Sequence, residues 1–126
     1  MAKILLIDDD PQMRKLIMDF MGQQGHEVII AQDGAFGVSM TALEYPDIIL
    51  LDMMMPVMSG PEALDMLKRE PGLSGIPVVV VSANDDPDLK QQMLNAGVVA
   101  YINKPVDLTA LLSCVEGTLR FRAKPQ

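Results

Sequence analysis

The chain has 126 residues, enough to bury a full core in one domain and short for two, so a single domain over 1–126 is expected. It is 49% hydrophobic and 21% charged, ordinary globular usage that excludes a disordered or fibrous class, and with 4% aromatics its aliphatics and 11 methionines must fill the interior. A net charge of −7 would repel phosphates, which argues against direct nucleic-acid binding and favours a divalent cation or a basic partner surface. The single Cys114 excludes an internal disulfide. No apolar run approaches the ~20 residues of a membrane helix and no signal pattern is visible, so a cytoplasmic protein is expected.

Lys3 to Ile7 is a short apolar run that ends in Asp8, Asp9 and Asp10. Asp10-Pro11 has the form of an N-cap followed by proline at the first helical position. Met13, Leu16, Ile17, Phe20 and Met21 then share one helix face, and Gly25 suits the stop. Glu27 to Ala31 reads as the second strand, with Asp33-Gly34 as a turn, and Ala35 to about Glu44 as a weaker helix ending before Tyr45-Pro46.

Ile48 to Leu51 is an unbroken apolar run closed by Asp52 and then by Pro56, the pattern of a strand buried on both faces. Asp52 alone would equally suit the start of a turn. Ser59-Gly60-Pro61 opens a helix that runs to about Glu70 and stops at Pro71-Gly72. Ile76 to Ser82 is a β-branched fourth strand. Asp86-Pro87 repeats the cap-and-proline device for a helix to Asn95, and Val98 to Asn103 forms the fifth strand before Lys104-Pro105. Asp107 can cap a last helix with Leu108, Leu111, Leu112, Val115 and Leu119 on one face, and the tail from about 122 to 126 is expected to fray.

Strand and helix thus alternate five times, which implies an α/β fold with a parallel sheet and helices on both faces. All strands of such a sheet end on the same side. That side would gather Asp8 and Asp9, Asp52, Ser82 and Lys104 on one rim. Clustered carboxylates resist ionising together unless a counter-charge offsets them. A hard cation such as Mg²⁺ does so, being held by one or two carboxylates together with phosphate oxygens, and it leaves one carboxylate free to attack phosphorus. Asp52, standing alone on the central strand, fits that nucleophile. Lys104 can pair with a phosphoryl oxygen, and Ser82 can donate to another.

With Leu5-Leu6-Ile7-Asp8-Asp9, Leu51-Asp52-Met53-Met54-Met55-Pro56 with Gly60, Val81-Ser82-Ala83 and Tyr101-Ile102-Asn103-Lys104-Pro105 in this order, the chain resembles the receiver domains of two-component response regulators from about Lys3 to Leu119. The resemblance implies a flavodoxin-like sheet of order 2-1-3-4-5 with the site at the topological switch point. It implies that Asp52 accepts a phosphoryl group from a histidine kinase or histidine phosphotransfer protein. Asp8 and Asp9 would then hold Mg²⁺, Asp8 directly or through water, and Met54 would offer it a backbone carbonyl. Ser82 would be the switch hydroxyl, Tyr101 the switch aromatic, Lys104 the phosphoryl-binding lysine, and the Lys104-Pro105 peptide cis. Phosphorylation would draw Ser82 toward Asp52 and let Tyr101 turn inward, reshaping a surface of the fourth helix, fifth strand and fifth helix for a downstream target. The protein would be a switch that catalyses only its own phosphorylation and dephosphorylation, as a monomer or a phosphorylation-dependent dimer.

Met54 stands where family members often carry a polar side chain that influences dephosphorylation, while Asn84, two residues after Ser82, could position water. Structural readings suffice for several other residues. His26 is expected as an exposed loop residue, Cys114 as an inert core filler, Met53 and Met55 as packing, and Lys68-Arg69-Glu70 as a solvated helix end. A dinucleotide-binding half-domain is a poor alternative, because three aspartates replace its glycine loop. A metal-dependent phosphohydrolase of the haloacid dehalogenase type is the enzyme alternative, from Asp8-x-Asp10, although Gln12 stands where Thr or Val is expected. A pseudo-receiver that binds partners without phosphorylation is the third.

Overall fold

The computed structural model describes residues 1–122; the tail Ala123 to Gln126, expected to fray, lies outside the described residues. Five strands alternate with five helices: β1 (Lys3–Ile7), α1 (Pro11–Gln23), β2 (Glu27–Ala31), α2 (Gly34–Glu44), β3 (Ile48–Leu51), α3 (Gly60–Arg69), β4 (Val78–Ser82), α4 (Pro87–Asn95), β5 (Ala100–Asn103) and α5 (Leu108–Arg122). All pairings are parallel and the strand order is β2-β1-β3-β4-β5. This is the doubly wound architecture expected from the sequence.

Side-chain alternation along the buried strands divides the interior in two. Leu5, Ile7, Ile49, Leu51, Val78 and Val80 face Ala63, Leu64 and Leu67 of α3 and Met93 of α4. Ile4, Leu6, Ile48, Leu50, Val79 and Val81 face Ile17 and Met21 of α1 and Leu111 and Val115 of α5. β1, β3 and β4 are covered on both sides, so their runs are continuously apolar, whereas edge strand β2 is only partly buried.

The helix signals act as their residue types predict. Asp10 and Asp86 each accept an N–H at the start of their helix, with proline at the first helical position. Ser59 and Glu62 form a capping box on α3. α1 and α4 both end on a left-handed glycine: the Gly25 and His26 N–H groups donate back to the Gly22 and Met21 carbonyls, and those of Gly97 and Val98 to Leu94 and Met93.

Several boundaries differ from the sequence reading. Asp33 is the N-cap of α2, not part of a turn, because its carboxylate accepts the Phe36 N–H at 2.8 Å. β4 begins at Val78, not Ile76, and β5 at Ala100, not Val98: Ile76 and Val98 are tied by their N–H groups to the preceding loop and helix end. Leu16, expected on the buried face of α1, is exposed, as are Phe36 and Leu43 of α2. The buried stripe of α2 consists of Gly34, Gly37 and Thr41, small residues that bring the helix close to the sheet.

Candidate phosphoryl-acceptor site

The parallel register sets the site. Ile7 is paired with Leu51, and the ladder continues past both strands as the Asp52 N–H donates to the Ile7 carbonyl and the Asp8 N–H to that of Ala31, each at 3.0 Å. On the other side Ser82 is paired with Asn103, and the Lys104 N–H donates to the Ser82 carbonyl at 2.9 Å. The residues that close β1, β3, β4 and β5 therefore stand at one height on the carboxyl rim.

Asp8 and Asp52 are 1% and 4% exposed, and Asp9 is exposed beside them. One carboxylate oxygen from each of Asp8, Asp9 and Asp52 lies within 4.8 Å of the others, a grouping that can hold a metal ion. Hard carboxylate oxygens suit a hard divalent cation such as Mg²⁺. Lys104 Nζ reaches into the cluster, 2.9 Å from Asp8 Oδ2 and 3.7 Å from Asp52 Oδ2. Asp10 stays outside it and caps α1 through the Gln12 N–H.

One ammonium does not balance three carboxylates. The pKa of Asp52 is raised, first by burial and then by the Asp8 charge, against the opposing pull of Lys104, the Met54 N–H and the Ser82 hydroxyl. Burial would lower the pKa of Lys104, but its hydrogen bond to Asp8 and the charges of Asp8, Asp52 and Asp10 outweigh this and raise it. The rim thus carries a surplus of buried negative charge that suits a cation.

Each remaining site residue of the sequence reading has a definite place. The Met54 N–H donates to Asp52 Oδ1 at 3.3 Å, while its side chain is 59% exposed. Ser82 is fully buried, and its Oγ accepts the Asn84 N–H at 3.2 Å. Tyr101 is 8% exposed and turned inward, its hydroxyl donating to the Asn84 carbonyl at 2.6 Å. The Lys104-Pro105 peptide is cis. Gly60 starts α3 so close to this strand end that a Cβ there would lie 2.3 Å from the Asp52 carbonyl oxygen and 2.6 Å from Met53 Cα.

The sequence reading missed two residues and misplaced a third. Arg14 donates from Nη1 to the Asp8 carbonyl at 2.9 Å, bracing the acidic loop from α1. Asn103 Nδ2 donates to the Asn84 carbonyl at 3.2 Å, beside the Tyr101 hydroxyl. Strand alternation puts residues 101 and 103 on one face, a signal that could have found Asn103. His26 is not an exposed loop residue: its ring is largely buried, with Nδ1 accepting the Ala2 N–H and Nε2 facing Glu116 Oε2, both at 3.1 Å. It helps to line a cleft of about 650 Å³ at the opposite end of the sheet, with Tyr45, Asp47 and Arg120.

Comparison with known proteins agrees with this fold. Residues 4–116 match the family model of the response regulator receiver domain. The chain is 34% identical to Protein PilH of Pseudomonas aeruginosa over 94% of its own length and 98% of that protein. It is 36% identical to the response regulator PleD of Caulobacter vibrioides over 96% of the chain, which spans only 27% of PleD. Among solved structures, the chemotaxis protein CheY4 of Vibrio cholerae superposes with a TM-score of 0.86 at 26% identity, covering 93% of this chain and 98% of that one. No helix among the described residues is long and apolar enough to cross a membrane. The fold, the strand-end constellation and the matched span together make this chain a member of the response regulator receiver domain family.

Proposed function

We propose that the chain is a phosphorylation-activated switch of a two-component system, acting as one receiver unit in the cytoplasm, with Asp52 as the phosphoryl acceptor. The observation that supports this most is the convergence of Asp8, Asp9 and Asp52 with Lys104 Nζ lying between the two buried carboxylates. A carboxylate oxygen of Asp52 attacks the phosphorus of a phosphohistidine on a histidine kinase or histidine phosphotransfer protein. The P–N bond breaks, the imidazole takes up a proton, and an acyl phosphate forms on Asp52. Asp8 and Asp9, with Asp52 and the Met54 carbonyl, would hold Mg²⁺, which when bound neutralises charge on the transferring phosphoryl group.

Lys104 leaves its contact with Asp8 to pair with a phosphoryl oxygen, and the Ser82 hydroxyl, already beside Asp52, donates to another. The inward Tyr101, its hydroxyl on the Asn84 carbonyl, is the arrangement that the phosphoryl group on Asp52 would favour. The readout is the α4-β5-α5 surface, because Tyr101 on β5 is tied to the loop that starts α4. A downstream target that binds this surface shifts the equilibrium further, and the chain works as a monomer or a phosphorylation-dependent dimer. Met54 is apolar, and the Asn84 side-chain oxygen already accepts the Asp86 N–H at 3.0 Å. Met54 offers no polar side-chain group to water beside Asp52, which favours a long-lived phosphoryl state.

Intact mass after incubation with acetyl phosphate and Mg²⁺ tests this reading. A single phosphoryl adduct that is absent from Asp52→Asn supports it. Rapid turnover that depends on Asp8 and ignores Asp52 would point to a phosphohydrolase, and no adduct with any donor would point to a pseudo-receiver.

A further inference from the structure

The loop between β4 and α4 is held from three directions. The Asn84 N–H donates to Ser82 Oγ at 3.2 Å, the Asn84 side-chain oxygen accepts the Asp86 N–H at 3.0 Å, and Asp86 in turn caps α4 through the Asp88 N–H at 2.9 Å. The third hold is the Asn84 carbonyl. It receives two donors from β5, the Tyr101 hydroxyl at 2.6 Å and Asn103 Nδ2 at 3.2 Å, so both lone pairs of one oxygen are used. Tyr101 is buried and Asn103 is exposed, so the two approach the same atom from the interior and from solvent.

We infer that Asn103 is a positioning residue for the switch: by fixing the Asn84 carbonyl it helps to hold Tyr101 in its inward place. This rests on Tyr101 being the switch aromatic, as proposed above. An exposed amide bond alone is worth little, since water competes for both partners. Its effect here comes from the acceptor. Ser82 and Asp86 hold the Asn84 N–H and side chain, so the ordering cost to Asn103 is small, and the carbonyl it holds is the one Tyr101 requires. Without Asn103 the carbonyl keeps one protein donor, and its peptide can turn away from the Tyr101 hydroxyl while Ser82 and Asp86 still hold the rest of Asn84. The inward arrangement is then favoured less in the resting protein, and partner binding depends more strongly on phosphorylation.

The two tyrosines of the chain make this measurable. In protein labelled with 3-fluorotyrosine, ¹⁹F NMR gives one resonance for Tyr101 and one for Tyr45, which is 58% exposed and serves as an internal reference. Tyr101→Phe assigns them. In the resting protein, Asn103→Ala and Asn103→Asp should both move the Tyr101 resonance toward the exposed position, with the outward-to-inward ratio rising about fivefold, the equilibrium worth of one hydrogen bond. The Tyr45 resonance should stay in place. Coincident Tyr101 resonances in the parent and both variants would overturn the inference. Beryllium fluoride with Mg²⁺, standing in for the phosphoryl group, tests the underlying reading separately: it should return the Asn103→Ala resonance to the parent position. Failure of that return alone would count against coupling between Asp52 and Tyr101, not against the role of Asn103.

Discussion

At the amino ends of the strands, each charged or polar side chain has its own local partner. Lys3 Nζ pairs with Glu44 at 3.3 Å, the Lys3 N–H donates to Asp47 at 2.7 Å, and His26 bridges the Ala2 N–H and Glu116. At the carboxyl ends of the same strands, Asp8, Asp9 and Asp52 converge on a single ammonium, and the pKa of Asp52 is raised. Both ends belong to one sheet and face similar solvent. The paired, partly exposed end closes the scaffold, whereas the carboxyl end keeps buried negative charge that a cation would offset. Excess buried charge of one sign, more than the presence of charge, is what separates a site from a brace.

Four substitutions would break or sharpen this contrast. The largest effect is expected from Gly60→Ala, because the new methyl group would drive into the Asp52 carbonyl and the Met53 backbone. Denaturant unfolding should show a loss of about 3 kcal/mol, and a loss below about 1 kcal/mol would mean that the α3 start yields easily. Lys104→Ala removes the one ammonium among the clustered acids, at a cost of about 2 kcal/mol after allowance for its partial exposure. It should also slow phosphoryl transfer from acetyl phosphate about 100-fold.

At the other end, His26→Ala should cost about 1 kcal/mol by stripping the Ala2 N–H and Glu116 of their partner. Its phosphorylation rate should equal that of the parent, and a slowed rate would contradict the division of labour between the two rims.

The smallest effect has the opposite sign. A carboxyl whose folded pKa is raised contributes stability below its unfolded value, and this is lost as pH rises through the folded value. Ionised Asp52 is therefore a net burden at neutral pH. Asp52→Asn should stabilise the fold by about 1 kcal/mol at pH 7, a gain that fades as pH falls through the raised folded value and is gone below the ordinary aspartate value of 3.8. Thermal melts across that range would show it, and a destabilised variant at pH 7 would contradict the charge surplus.

Much of this was legible in the sequence because parallel strands translate order into position. Runs such as Ile48 to Leu51 are apolar at every residue, so their ends are sharp, and the acids, hydroxyl and lysine that close them had to share a rim. The strand starts were less legible. Ile76 and Val98 are as apolar as the strands they precede, yet their N–H groups are used by local loop bonds, which composition does not reveal. His26 was misjudged because its partners, Ala2 and Glu116, are 24 and 90 residues away. Val57 gave no warning either: it is a β-branched residue at φ 70, with the Met58 N–H returning to the Pro56 carbonyl at 2.7 Å, a γ-turn no propensity would place there. The inward Tyr101 depends on an Asn84 carbonyl, a backbone atom that every residue type supplies.

The central claim is that Asp52, among three neighbouring aspartates, takes the phosphoryl group. Borohydride reduces an aspartyl phosphate to homoserine, so the acceptor can be trapped after reaction with acetyl phosphate and Mg²⁺ and located by peptide mass mapping. The account predicts homoserine at position 52 with positions 8 and 9 unchanged. Homoserine at position 8 or 9, with position 52 intact, would contradict it.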